Sequence, residues 1–155
     1  MNKLTIKKLG DITTILNPIA MTIVSLILVG WRGLLTYAVI YGISAIISQI
    51  LKGIFDAPRP RNTIGDHVLY VHGYSHKDGE SFLSQHMMSA SAPAAYALFF
   101  LKPWWIFVPF LIVACICGWT RVYVKAHWFL DVISAGILCF NVALLTAYLI
   151  KVFPL

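Results

Sequence analysis

The chain is a succession of long apolar runs separated by short polar ones. A helix needs roughly 20 apolar residues to cross the hydrocarbon core of a bilayer. Five stretches approach that length, at about Ile12–Trp31, Leu34–Leu51, Ser84–Leu101, Trp104–Trp119 and Trp128–Ile150. Asn17-Pro18 predicts a kink in the first, Arg32-Gly33 a tight turn after it, and Leu101-Lys102-Pro103 a turn between the third and fourth. Residues 1–11 interleave Lys3, Lys7 and Lys8 with Leu4, Ile6 and Leu9, a pattern that suits a short helix lying among the headgroups. Trp31, Trp104, Trp105, Trp119 and Trp128 all fall at span ends, as an interfacial aromatic belt requires. The pattern predicts an all-α protein: a polytopic transmembrane helix bundle of about five spans plus a short N-terminal interfacial helix, forming a single integral-membrane domain over residues 1–155.

Composition agrees. Hydrophobic residues make up 59% of the 155 positions and charged ones 12%, with a mean hydropathy of +0.81, far from a typical soluble domain. The net charge of +6 does not point to nucleic acid, because the basic residues are scattered between apolar runs and form no stripe. Anionic lipid headgroups are the better counterpart. Cys115, Cys117 and Cys139 lie inside apolar runs, where they read as small apolar fillers and not as a disulfide framework.

Parity then gathers the polar residues. Clusters occur at Lys52 to Arg61 after the second span, Ser84 to His86 opening the third, Arg121 after the fourth, and His127 to Asp131 opening the fifth. Because successive spans alternate direction, all four emerge on one face of the membrane. Ionisable residues at membrane depth are costly and mark function by default.

Each cluster has a chemical reading and a plainer one. Pro58 and Pro60 hold Arg59 on a stiff extended segment, with Lys52 on the last helical turn before it; such cations also serve as snorkelling anchors. Ser84 stands at a natural N-cap, where free backbone N–H groups and the helix dipole make an anion site. His86 lies in the same turn and can donate a proton; a capping serine beside an interfacial histidine is the plainer reading. His127 and Asp131, four apart, are expected on one helical face, so that the carboxylate fixes one imidazole nitrogen and leaves the other as base or nucleophile. Arg121, in the short connection before them, would add a third cation; an interfacial ion pair is the alternative. Three cations, a helix N-terminus and two histidines suit in-line phosphoryl transfer, with one histidine attacking phosphorus and the other protonating the leaving oxygen. That scheme needs no metal or other cofactor.

Together these clusters resemble the type 2 phosphatidic acid phosphatase (PAP2) superfamily, in its membrane lipid phosphatase branch. The signature KxxxxxxRP, PSGH, SRxxxxxHxxxD is met by Lys52 with Arg59-Pro60, by Leu83-Ser84-Gln85-His86, and by Thr120-Arg121 with His127 and Asp131. The resemblance implies a phosphohistidine intermediate on His127, oriented by Asp131, with His86 as general acid. It also implies that Lys52, Arg59, Ser84, the Gln85 backbone and Arg121 hold the phosphate. Leu83 stands where the family has proline, and Gln85 where it has a glycine that lets the backbone approach phosphate. Membrane members commonly have six spans, and the resemblance implies that the five expected here correspond to the last five.

The expected partner is a membrane lipid phosphate in the bilayer: a polyprenyl diphosphate, phosphatidylglycerophosphate, phosphatidate or lipid A. A lipid-to-lipid phosphotransferase would use the same residues, and a catalytically weak lipid-phosphate binding protein would suit the altered second motif. Outside the site, Lys3, Lys7, Lys8, Arg61, Lys77 and Lys125 lie on the active face against Arg32, Lys102 and Lys151 on the other, which by the positive-inside rule turns that face to the cytoplasm. The resemblance implies the reverse, a bacterial inner membrane with the site toward the periplasm or outer leaflet, and is preferred because lysines serving an anionic substrate inflate the count. His67, His72 and His76 in the loop read as part of a solvated lid or headgroup contact and not as a zinc site.

Overall fold

A computed structural model describes residues 2–55, 59–60 and 81–153. The helices are α1 (Lys3–Leu28), α2 (Trp31–Ile54), α3 (Gln85–Phe100), α4 (Phe107–Tyr123, entered through a 3-10 turn at Trp104–Ile106) and α5 (Phe129–Val152). Four segments are long and apolar enough to cross a membrane: Lys3–Leu28, Trp31–Ile54, Trp104–Tyr123 and Phe129–Val152. Their outer faces carry rows of exposed Leu, Ile and Trp side chains, among them Ile15, Ile19, Ile27, Ile46, Leu130 and Leu145. Apolar surface on that scale is a lipid-facing surface, and the protein is an all-α integral membrane bundle.

The fifth helix differs from these. With 16 residues, α3 spans only ~24 Å at 1.5 Å per residue, and it packs against every other helix. Its sequence explains its central place. Ala90, Ala92, Ala94, Ala95 and Ala97 are fully buried, and small residues let neighbouring backbones come close where lipid offers no hydrophobic drive between helices. Buried polar groups then act as cross-links. The Asn17 amide donates to the carbonyls of Ala90 (2.7 Å) and Phe110 (3.2 Å), tying α1 to α3 and α4. Tyr96 meets Ser25 at 2.9 Å, and Tyr41 meets Ser89 at 2.8 Å.

Three expectations change. Residues 3–28 form one helix, running unbroken through Pro18, so the stretch expected as a separate interfacial helix is the opening of the first span. The turn expected at Arg32-Gly33 is made earlier in the chain, at Gly30, whose φ of 80° is open to glycine without strain. Gly33 instead lies inside α2, where an added Cβ would stand 2.8 Å from the Tyr96 hydroxyl. The fourth span ends at Tyr123 and not near Trp119, so Arg121 belongs to a helix and not to a connection.

The ends of the helices fall as alternation requires. The start of α1, the end of α2, the start of α3, the end of α4 and the start of α5 share one end of the bundle. Phe55, just past α2, packs edge-on to Phe82, just before α3, with ring centroids 4.9 Å apart. That contact fixes the exit of one helix beside the entrance of the other.

Candidate active site

The end of α4 is folded back on itself. Ala126 N–H donates to the Arg121 carbonyl and Lys125 N–H to that of Val122, both at 3.0 Å, the paired bonds of a Schellman helix end. Lys125 takes the left-handed φ of 57° that this motif demands. The fold-back carries His127 N–H to within 3.4 Å of the Arg121 carbonyl, so backbone geometry alone sets the histidine beside the arginine.

α5 begins after His127. Trp128 is its N-cap, and Asp131, in the first turn, accepts the Trp128 N–H at 2.9 Å, a carboxylate at the positive end of a helix dipole. Asp131 also accepts the Ser81 hydroxyl. The shared helical face expected for His127 and Asp131 is therefore not formed, because the histidine precedes the helix. Its Nδ1 donates to the Ser81 carbonyl at 2.9 Å and lies 3.7 Å from Asp131 Oδ2, within ion-pair reach but beyond a hydrogen bond. Ser81 is the intermediary, binding the carboxylate with its side chain and the imidazole with its backbone. All three residues are buried. With Nδ1 carrying a hydrogen for a carbonyl, Nε2 keeps its lone pair.

Ser84 caps α3. Its hydroxyl accepts Met87 N–H at 3.3 Å, and its own N–H goes to the Asp131 carbonyl at 3.2 Å, which locks the start of α3 to the start of α5. Helix geometry leaves the N–H groups of Gln85 and His86 without intrahelical partners, so the anion-binding character of this terminus rests on them. The Gln85 side chain donates to Ser48 on α2 at 2.9 Å. Packing thus takes up the group that stands where the family signature has glycine. Leu83, in the proline position, is buried in the core.

Arg121 is buried in the last turn of α4, and its Nη2 lies 2.5 Å from Asp11 Oδ1 on α1. Its Nε has no hydrogen-bond partner among the described residues. A buried donor without an acceptor is costly, and an incoming oxyanion would relieve it. His86 Nε2 approaches the same Asp11 oxygen at 3.5 Å, and the imidazole lies in the electrostatic field of Arg121, His127 and Lys52. Lys52 is buried in the last turn of α2, and Arg59 sits half-buried beyond that helix.

Lys52, Ser84, Gln85, His86, Arg121, His127 and Asp131 thus share one end of the bundle. Pro58, Arg61, His67, His72, His76 and Lys77 lie outside the described residues. Among the described residues, no three His, Cys, Asp or Glu side chains cluster as metal ligands. Two contacts in this region have no place in the motif reading, Ser81 and Asp11. A signal for the second was present: Asp11 is the only acidic residue in the first 55 positions.

A buried imidazole held through Nδ1, an arginine whose Nε has no partner among the described residues and a capped helix N-terminus stand around one end of the bundle. The chain belongs to the PAP2 superfamily, whose family model matches residues 33–153. Among solved structures, it shares its fold with a transmembrane PAP2-type phosphatidylglycerolphosphate phosphatase from Bacillus subtilis, at a TM-score of 0.68 and 18% sequence identity. The match covers 97% of this chain and 77% of that one. No curated protein matches the sequence.

Proposed function

We propose that this protein is a lipid phosphatase that hydrolyses the phosphate monoester or diphosphate of a membrane lipid through a phosphohistidine on His127. Membership of the PAP2 superfamily supports phosphatase chemistry, and the lipid-facing bundle supports a substrate that reaches the site with its tail in the bilayer. The observation that carries the reading is the bond from His127 Nδ1 to the Ser81 carbonyl, which leaves Nε2 as the nucleophilic nitrogen.

In the first step, Nε2 forms a bond to phosphorus while the bond from phosphorus to the leaving oxygen breaks. The electron pair stays on that oxygen, and His86 gives it a proton. In the second step, water attacks the phosphohistidine, His86 takes the water proton, the phosphorus–nitrogen bond breaks, and inorganic phosphate leaves. Asp131 steadies the positive charge that forms on His127, through its ion-pair contact and through Ser81. Arg121, Lys52, Arg59, the Ser84 cap and the N–H of Gln85 stabilise charge on the phosphoryl oxygens. No step requires a metal. The site end of the bundle is assigned to the periplasmic or outer-leaflet side of a bacterial inner membrane, which labelling of a cysteine at Lys125 by an impermeant reagent in intact cells would test.

Phosphate release from a panel of lipid phosphates by purified wild type and His127→Ala tests the reading. Wild type releases phosphate with or without EDTA, and His127→Ala loses turnover by roughly 10⁴-fold or more. An active His127→Ala protein would refute the nucleophile assignment.

A further inference from the structure

The family match covers residues 33–153, so α1 up to Leu28 lies before it. Yet α1 delivers a carboxylate to the edge of the site. Asp11 Oδ1 touches both the Arg121 guanidinium, at 2.5 Å, and His86 Nε2, at 3.5 Å. The approach is built into the helix. Gly10 has no side chain, and a Cβ there would stand 2.1 Å from Thr120 Oγ1 and 3.1 Å from Arg121 Nη2, so any other residue would lift α1 from the end of α4. The Gly10 carbonyl is also taken up, by the hydroxyls of Thr13 and Thr14 and the thiol of Cys117. Asp11 itself stays 43% exposed, so it borders the open side of the site and is not sealed in the core.

We propose that Asp11 is a positioning and specificity-determining residue that selects lipid phosphate monoesters over diphosphates. The inference rests on the phosphatase reading above, with His86 as proton donor. In that reading, the Nε2 proton of His86 is the one the leaving oxygen receives, and Asp11 faces that same nitrogen. Among the described residues, the charged groups around His86 are Asp11 from α1, Lys52 from α2, Arg121 from α4 and His127 from the following connection, so Asp11 is the one carboxylate among these three basic side chains.

Two consequences follow for the leaving group. A monoester expels an alcohol oxygen, which needs a proton as the phosphorus–oxygen bond breaks, and a carboxylate beside Nε2 favours the protonated ring that supplies it. A diphosphate expels a phosphate monoester, which leaves readily without a proton but carries its own negative charges to the place where His86 and Asp11 meet. Like charges there disfavour it. Asp11 therefore helps the first leaving group and opposes the second.

The test compares kcat/KM on three substrates: phosphatidylglycerophosphate, a polyprenyl diphosphate, and p-nitrophenyl phosphate, whose leaving group needs no proton. Wild type favours the lipid monoester. Asp11→Asn loses roughly tenfold on that monoester, changes less than about twofold on p-nitrophenyl phosphate, and gains on the diphosphate; Asp11→Glu restores the wild-type order. Gly10→Ala, which displaces α1 without touching a charge, shifts the same ratio in the same direction and serves if Asp11→Asn does not fold. A uniform drop on all three substrates, an unchanged ratio, or a wild type that favours the diphosphate overturns the inference while leaving the phosphatase reading intact. If wild type releases phosphate from none of them, the phosphatase reading itself falls.

Discussion

Two carboxylates at the same end of the bundle each face a histidine, and their surroundings differ. Asp131 is buried, with its side chain 5% exposed, and is held by the Trp128 N–H and the Ser81 hydroxyl. Asp11 is 43% exposed and rests on one arginine across a helix contact that depends on a glycine. A group fixed by several donors in the interior acts only on its neighbour, by orienting it and steadying its charge. A half-exposed group on the rim can also meet what enters and leaves. The contrast teaches that a carboxylate beside a histidine is not one kind of device, and its role follows from what else holds it.

The comparison breaks most visibly if both residues respond alike to loss of charge. Asp131→Asn should lower kcat by roughly 10³- to 10⁴-fold on every substrate, including p-nitrophenyl phosphate, because it disturbs the nucleophile that all substrates share. An amide cannot stabilise the charged imidazole, and its NH₂ cannot accept the bonds now made to Oδ2. A loss confined to substrates with poor leaving groups would put Asp131 in the same role as Asp11, and the distinction would fail. Steady-state rates on the lipid monoester and the aryl phosphate decide it.

Ser81 sharpens the comparison at smaller amplitude. Ser81→Ala removes the hydroxyl from Asp131 but keeps the backbone carbonyl on His127 Nδ1, so the tautomer is retained and the carboxylate loses one donor. A hydrogen bond to a charged group contributes about 1.5–3 kcal/mol, and the expected fall in kcat is roughly ten- to a hundredfold, equal across substrates. Were Ser81→Ala as damaging as Asp131→Asn, the link would run through the hydroxyl and not through the ion-pair contact.

These residues also mark how far the sequence could be read. The spans are legible because lipid imposes one rule on every turn of helix, and alternation of direction then gathers Lys52, Ser84, His86, Arg121, His127 and Asp131 at one end. Ser84 as an N-cap is legible because capping is local. The four-residue spacing of His127 and Asp131 suggests one helical face, but an acidic residue in the first turn is itself a start signal, and it agrees with the helix start at Phe129. Ser81 carries no such signal. Its carbonyl and hydroxyl matter only because the start of α3 is locked to the start of α5, a tertiary fact. Asp11 was visible as a lone acid among lysines and apolar residues, but which cations it meets depends on the close approach that Gly10 permits.

The smallest effect concerns the hinge between the two regions. Lys125 holds a left-handed conformation at the Schellman end of α4, a position usually given to glycine. For a residue with a Cβ that conformation costs about 1–2 kcal/mol, while glycine adds unfolded-state freedom that offsets about 0.4–1 kcal/mol of the relief. Lys125→Gly should therefore stabilise the protein by at most about 1.6 kcal/mol, seen as a small rise in detergent melting temperature. Its kcat should match wild type, because His127 is held from the far side by Ser81 and its N–H still reaches the Arg121 carbonyl. Lys125→Val, branched at Cβ, should lower stability instead. A large fall in kcat for Lys125→Gly, with stability kept, would mean that the hinge and not Ser81 sets the imidazole, and the rigid half of the comparison would then lie in the backbone of residues 121–127.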